Sequence, residues 1–141
     1  MTFPQAFQCY IPRDKKVFGC ICITKENTVL LVKGRKTHKW SFPKGHMKHT
    51  DRTNLECALR ELQEETGVIL DESPITYKKY SAAGYYIFDI NEEYTVYPAD
   101  CLEIEDAQWV PIEEIASLNK NVDLSMFCNH IHRLNLEPVQ A

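Results

Sequence analysis

Apolar positions in this chain come in short runs until one segment switches to helical spacing. Residues 17–24 (VFGCICIT) and 28–32 (TVLLV) are apolar and rich in β-branched side chains, and Lys25-Glu26-Asn27 divides them, which predicts a hairpin. Residues 33–53 lose that pattern and predict a long loop; a loop of about 20 residues inside a compact domain is usually functional. Leu55, Ala58, Leu59 and Leu62 then share one helical face. With Asn54 as N-cap and Gly67 just past the end, residues 55–66 read as a helix. Strands are expected at 75–80, 85–90 and 107–110, with a polar and aromatic connection over 91–98. Pro111 opens a short helix. Asp123 is placed to cap a final one, along which Leu124, Phe127, Cys128, Ile131 and Leu134 follow helical spacing. Residues 1–16, with Pro4 and Pro12, read as an irregular N-terminal arm, which leaves 17–136 as one domain. Mixed strands with helices outside them predict an α/β sandwich.

The helix carries more than a core face. Glu61, Glu64 and Glu65 stand at i, i+3 and i+4, so they form one stripe beside the apolar face. Like charges at that spacing repel, and a bound cation relieves the repulsion. A solvated acidic face with Arg60 as intrahelical partner is the simpler alternative. Oxygen donors alone suit a hard divalent ion, Mg²⁺ or Mn²⁺. Just upstream, Lys33, Arg35, Lys36, Lys39, Lys44, Lys48 and Arg52 are opposed by one acid, Asp51, in a chain whose net charge is −4. A basic segment leading into an acidic helix suits a polyanionic substrate: the cations hold phosphates while the acids hold the metal between them.

Arg60-Glu61-Leu62-Gln63-Glu64-Glu65-Thr66-Gly67-Val68, preceded by Gly45, resembles the signature of the Nudix hydrolases, G-x5-E-x7-R-E-U-x-E-E-x-G-U with U a bulky aliphatic. Asp51 stands where the first Glu belongs, but eight residues separate it from Arg60 where the signature has seven. The resemblance implies an α/β/α sandwich around a mixed sheet. It also implies a pyrophosphohydrolase in which Glu61, Glu64, Glu65 and the Gly45 carbonyl ligate metal, Arg60 braces the carboxylates and Lys44 reaches a phosphate. In several members a Glu ahead of a late strand aromatic acts as base or metal ligand. Glu103 fits that spacing before Trp109 best, with Glu105 second. Lys36, Lys39, Trp40 and Phe42 are the remaining candidates for substrate contact, the aromatics as stacking surfaces, with Tyr85, Tyr86, Tyr94 and Tyr97 as further rings facing the loop. The segment Trp40-Ser41-Phe42-Pro43-Lys44-Gly45-His46 resembles both mRNA-decapping enzymes and diadenosine tetraphosphate hydrolases. The expected substrate is a nucleotide-linked polyphosphate, a dinucleoside polyphosphate narrowly ahead of the 5′ end of capped RNA. Diphosphoinositol polyphosphate is an alternative, and a non-catalytic binding module is another.

Other classes fall away. A length of 141 residues with 44% hydrophobic and 26% charged residues suits one soluble domain with a real core. The longest apolar run, 17–23, is too short for a bilayer, and the first residues lack a basic stretch followed by an apolar one. Two of the six cysteines fall in an apolar strand and one in the acidic helix. They read as reduced thiols of a cytoplasmic or nuclear protein. His46/His49 and His130/His132 lack nearby partners for a zinc site.

Overall fold

The computed structural model describes residues 16–97 and 102–131. The expected arm therefore lies, Lys16 apart, outside the described residues, as do Cys9, Cys101, His132 and Leu134. β1 (Val17–Thr24), β2 (Thr28–Gly34), β3 (Trp40–Ser41) and β4 (Lys44–His46) precede the acidic helix α1 (Asn54–Thr66). After it come β5 (Thr76–Lys79), β6 (Gly84–Ile90), β7 (Ile104–Pro111), the short α2 (Ile112–Ile115) and α3 (Val122–His130). The sheet runs β3-β2-β1-β6-β5, with β4 also paired to β1 and β7 to β2. Only β1 and β6 are parallel among the strand pairs described, so the sheet is mixed.

β1 is buried along nearly its whole length because the sheet is covered on both faces. Cys20 and Cys22 point to one side and pack with Leu30, Cys57, Ala58, Leu62 and Phe88 under α1. Ile21 and Ile23 point to the other and pack with Leu31, Phe42, Tyr85, Leu124 and Phe127 under α3. This is the expected three-layer α/β/α arrangement. No helix among the described residues is long and apolar enough to cross a membrane.

Four local expectations need correction. The N-cap of α1 is Thr53, not Asn54: Thr53 is extended and its side chain accepts from Glu56 N at 3.0 Å. Asp123 does not cap α3. Asn121 does, accepting from Leu124 N at 3.0 Å, while Asp123 is buried and accepts from Ala82 N (2.8 Å) and the Tyr85 hydroxyl (2.6 Å). The stretch 33–53 is not one loop but contains β3 and β4, which are two and three residues long. Pro43 divides them, and its carbonyl accepts from Cys20 N at 3.1 Å. β7 starts at Ile104, not 107, because pairing with β2 holds even its charged first turns of sequence extended. At the far end of α1, Gly67 takes φ 77° and its N–H donates to Gln63 O at 2.8 Å. That left-handed conformation is why a glycine stands there.

Candidate active site

Arg60 organises the acidic face of α1. Its Nε and Nη2 grip Asp51 at 2.9 and 2.8 Å, Nη2 also donates to the His46 carbonyl at 3.1 Å, and Nη1 reaches Glu61 at 3.0 Å and Glu64 at 3.3 Å. The extra residue ahead of the helix therefore does not separate Asp51 from Arg60. Asp51 is nearly enclosed, its side chain 5% exposed, and it also accepts from Lys48 N at 2.9 Å. The Arg60 hydrogen bonds, foremost, hold its carboxyl down at about 2. Asp51→Ala should cost about 1–3 kcal/mol at neutral pH, since it strips Arg60 of its best partner. The folded value lies below the unfolded one of roughly 3.9. The Asp51 contribution is thus present above that pH and is lost as pH falls through about 2. Denaturation curves for the two proteins should accordingly converge in acid; a constant difference down to that pH would exclude the ionic brace.

Glu61 and Glu65 are buried acids, 9% and 5% exposed, whereas Glu64 stands 41% exposed at its side chain. Burial raises Glu61 against the pull of Arg60. Burial, and then the neighbouring Glu61 carboxylate, push Glu65 up to about 8 despite Lys44. Lys44 N donates to Glu65 at 3.3 Å. The Glu61 carboxylate lies directly on Gly45, so close that a Cβ at that glycine would collide with it. These donors are all oxygens and two of them repel each other in a buried setting, which fits a hard divalent cation. Among the described residues, no three acidic, histidine or cysteine side chains yet converge on one point. Glu61 and Glu64 are both turned to Arg60 Nη1.

A cleft of about 460 Å³ opens beside Glu65, lined by Lys39, Ser41, Lys44, Gly45, His46, Glu103 and Asn121 with Val17, Val32, Gly34, Thr37 and Ile104. It gathers Gly45, Lys44, Lys39, Glu65 and Glu103 from the candidates drawn from sequence. The charge of Glu103 is close enough to help raise Glu65. Glu105, the second candidate base, is elsewhere: its carboxylate binds Lys33 and His38, each at 3.3 Å. Lys36 is exposed and outside the lining.

The aromatic expectations need correction at Phe42, Trp40 and Tyr85. Phe42 is fully buried, edge-on to Tyr85 (5.1 Å between centroids) and Phe127 (5.3 Å), and cannot meet a substrate. Trp40 is half-buried against the same core and does not line the cleft. Tyr85 is buried too, and Tyr86 and Tyr94 pack on the α1 side of the sheet. Apolar contact within the cleft comes from Val17, Val32 and Ile104. Thr37, Ser41 and Asn121 were not foreseen. Asn121 lies far along the chain and arrives because its N–H donates to the Trp40 carbonyl at 3.0 Å.

The family model for the NUDIX domain matches residues 13–128. The m7GpppN-mRNA hydrolase of Saccharomyces cerevisiae is 28% identical over 95 residues, 62% of this chain and 10% of that protein. The mRNA-decapping protein g5R of African swine fever virus is 31% identical over 118 residues, 76% of this chain and 47% of that protein. This chain thus matches less than half the length of either relative. Among solved structures, a Caenorhabditis elegans Ap4A hydrolase binary complex superposes with a TM-score of 0.68 at 18% identity, covering 85% of this chain and 98% of that one. At that identity the likeness concerns the fold.

Proposed function

Because this chain belongs to the Nudix family, we propose that it hydrolyses a phosphoanhydride bond of a nucleotide-linked polyphosphate, using Mg²⁺ or Mn²⁺ held on α1. The observation that carries this reading is the pair of buried acids, Glu61 set against Gly45 and Glu65 against Lys44 N, at the edge of a cleft that Lys39 and Lys44 line. Glu61, Glu64, Glu65 and the Gly45 carbonyl would hold the ion. Bound there, it would neutralise phosphate charge and activate water. Arg60, braced by Asp51, sets the positions of Glu61 and Glu64. Lys44 and Lys39 bind phosphate oxygens, and Glu103 takes the proton of the attacking water.

Capped RNA is the substrate favoured by the two relatives, both named for action on mRNA. A dinucleoside polyphosphate is the second reading, from the Pro43-Lys44-Gly45-His46 segment. A panel of capped RNA, diadenosine tetraphosphate, a diphosphoinositol phosphate and a nucleoside diphosphate sugar tests this, with products resolved by chromatography. Cleavage of the first or second in preference to the others supports the proposal. Cleavage of the inositol compound alone contradicts the nucleotide assignment, and tight binding of the panel without any cleavage means a binding module.

The two lysines should separate kinetically. The Lys44 charge lies close enough to Glu65 to oppose its rise, so Lys44→Ala should lower kcat, because only a charge near the reacting phosphate meets more negative charge in the transition state. Lys39 lies on the cleft wall, so Lys39→Ala should mainly raise KM and weaken its salt dependence. Lys36→Ala should do little. Steady-state kinetics at two salt concentrations check this; an unchanged kcat in Lys44→Ala contradicts the placement.

A further inference from the structure

Neither the cation site nor the base accounts for Glu105. β2 and β7 pair with Lys33 opposite Asp106 and then Gly34 opposite Ile104, so Glu105 is the extra residue of a β-bulge. A bulge frees one side chain from its strand's alternation and re-aims it. The Glu105 carboxylate, so freed, spans two elements: Oε2 meets Lys33 Nζ on β2 and Oε1 meets His38 Nδ1 on the turn that follows, each at 3.3 Å. His38 sits in the left-handed region, φ 58°, which a non-glycine residue keeps only when its surroundings hold it there. Its other ties are its N–H to the Gly34 carbonyl (2.9 Å) and its own carbonyl to Asn119 Nδ2 (3.1 Å). The same turn sends Gly34, Thr37 and Lys39 to the cleft wall, and the segment just before Glu105 sends Glu103 and Ile104.

We propose that Glu105 is a positioning residue: an ionic latch that fixes the turn 34–39, and with it Lys39, against the segment bearing Glu103. Its kinetic consequence rests on the reading of the cleft as a polyphosphate site. The latch itself rests on the bulge and on the contacts of one carboxylate with Lys33 and His38. Glu105 and Lys33 are 28% and 30% exposed at their side chains and His38 63%, so each pair alone is weak. Sharing one carboxylate, they can hold a turn in place without being needed for the fold. A backbone bond from Arg35 N to the Glu103 carbonyl (2.9 Å) and a side-chain bond from Arg35 Nη2 to the Ile104 carbonyl (3.3 Å) keep the segment itself in register. Losing Glu105 therefore loosens the turn and leaves β2 and β7 paired.

Amide hydrogen exchange reads the latch directly. Glu105→Ala should speed exchange across residues 35–39 by about three- to tenfold while the rest of β2 and β7 keeps its protection. In steady-state kinetics, Glu105→Ala should raise KM by about three- to tenfold and change kcat by less than about twofold. In a Lys39→Ala background the same change should raise KM less, because the cation it positions is gone. Unchanged exchange at 35–39 overturns the latch. So does full additivity with Lys39→Ala, or a fall in kcat on the order of a hundredfold with KM intact, the mark of a group that touches the reacting atoms. If the unaltered protein cleaves no polyphosphate, the proposed function fails, and the exchange result alone still decides the latch.

Discussion

Glu65→Gln should all but abolish turnover and yet make the metal-free protein more stable in mild alkali. Loss of a ligand to the ion forfeits several kcal/mol of transition-state charge stabilisation, a fall in kcat on the order of a thousandfold. The stability gain has the same origin. Burial, then Glu61, raise Glu65 to about 8 in the folded chain, whereas an unfolded glutamate titrates at roughly 4.3. The folded state thus binds this proton more tightly. The resulting stability is complete below the unfolded value and is lost as pH rises through about 8. Glutamine keeps the shape and carries no charge at any pH, so the variant escapes that loss. Urea denaturation in EDTA at about pH 6 and about pH 9 shows the difference: the unaltered protein weakens between the two and the variant does not. Glu64→Gln should lose turnover comparably without gaining stability, since Glu64 is half-exposed and its side chain is held by Arg60. Near-normal turnover in Glu65→Gln at saturating Mg²⁺, or a variant less stable than its parent in alkali, would contradict the assignment.

The second large effect belongs to Glu103. A glutamate committed to a metal is a poor base, which leaves the acids outside α1. Glu103 lines the cleft and sits near enough to Glu65 to raise it, while Glu105 is bound to Lys33 and His38. Glu103→Gln should lower kcat by about 10²–10⁴ with KM little changed, the usual contribution of a general base. Retention of kcat in Glu103→Gln together with its loss in Glu105→Gln would exchange the two roles.

The helix stripe could be read from sequence because its chemistry is local: caps, apolar face and carboxylates lie within one continuous segment, and the N-cap moved by a single residue, to Thr53. β1 was equally plain, since a strand covered on both faces needs an unbroken apolar run. Phe42 was misread because proximity to the basic segment outweighed strand alternation. A period of two puts Trp40 and Phe42 toward the core and Ser41 toward the cleft, and the structure has that arrangement. Asn121 carried no such signal, because its place depends on a backbone hydrogen bond to Trp40, 81 positions earlier, not on its neighbours in sequence. The different surroundings of Glu103 and Glu105 were also beyond spacing alone: the bulge that re-aims Glu105 exists only once β2 and β7 are paired.

The account stands most directly on the claim that α1 holds the ion used in hydrolysis. The measurement is cleavage of capped RNA and of diadenosine tetraphosphate by protein stripped with EDTA, as Mg²⁺ or Mn²⁺ is added back, for the unaltered chain and for Glu64→Gln. The expected result is no cleavage in EDTA, saturable recovery in the unaltered chain, and no recovery in the variant over the same range of metal. Cleavage that persists in EDTA, or a variant that recovers at the same metal concentration as its parent, would contradict it.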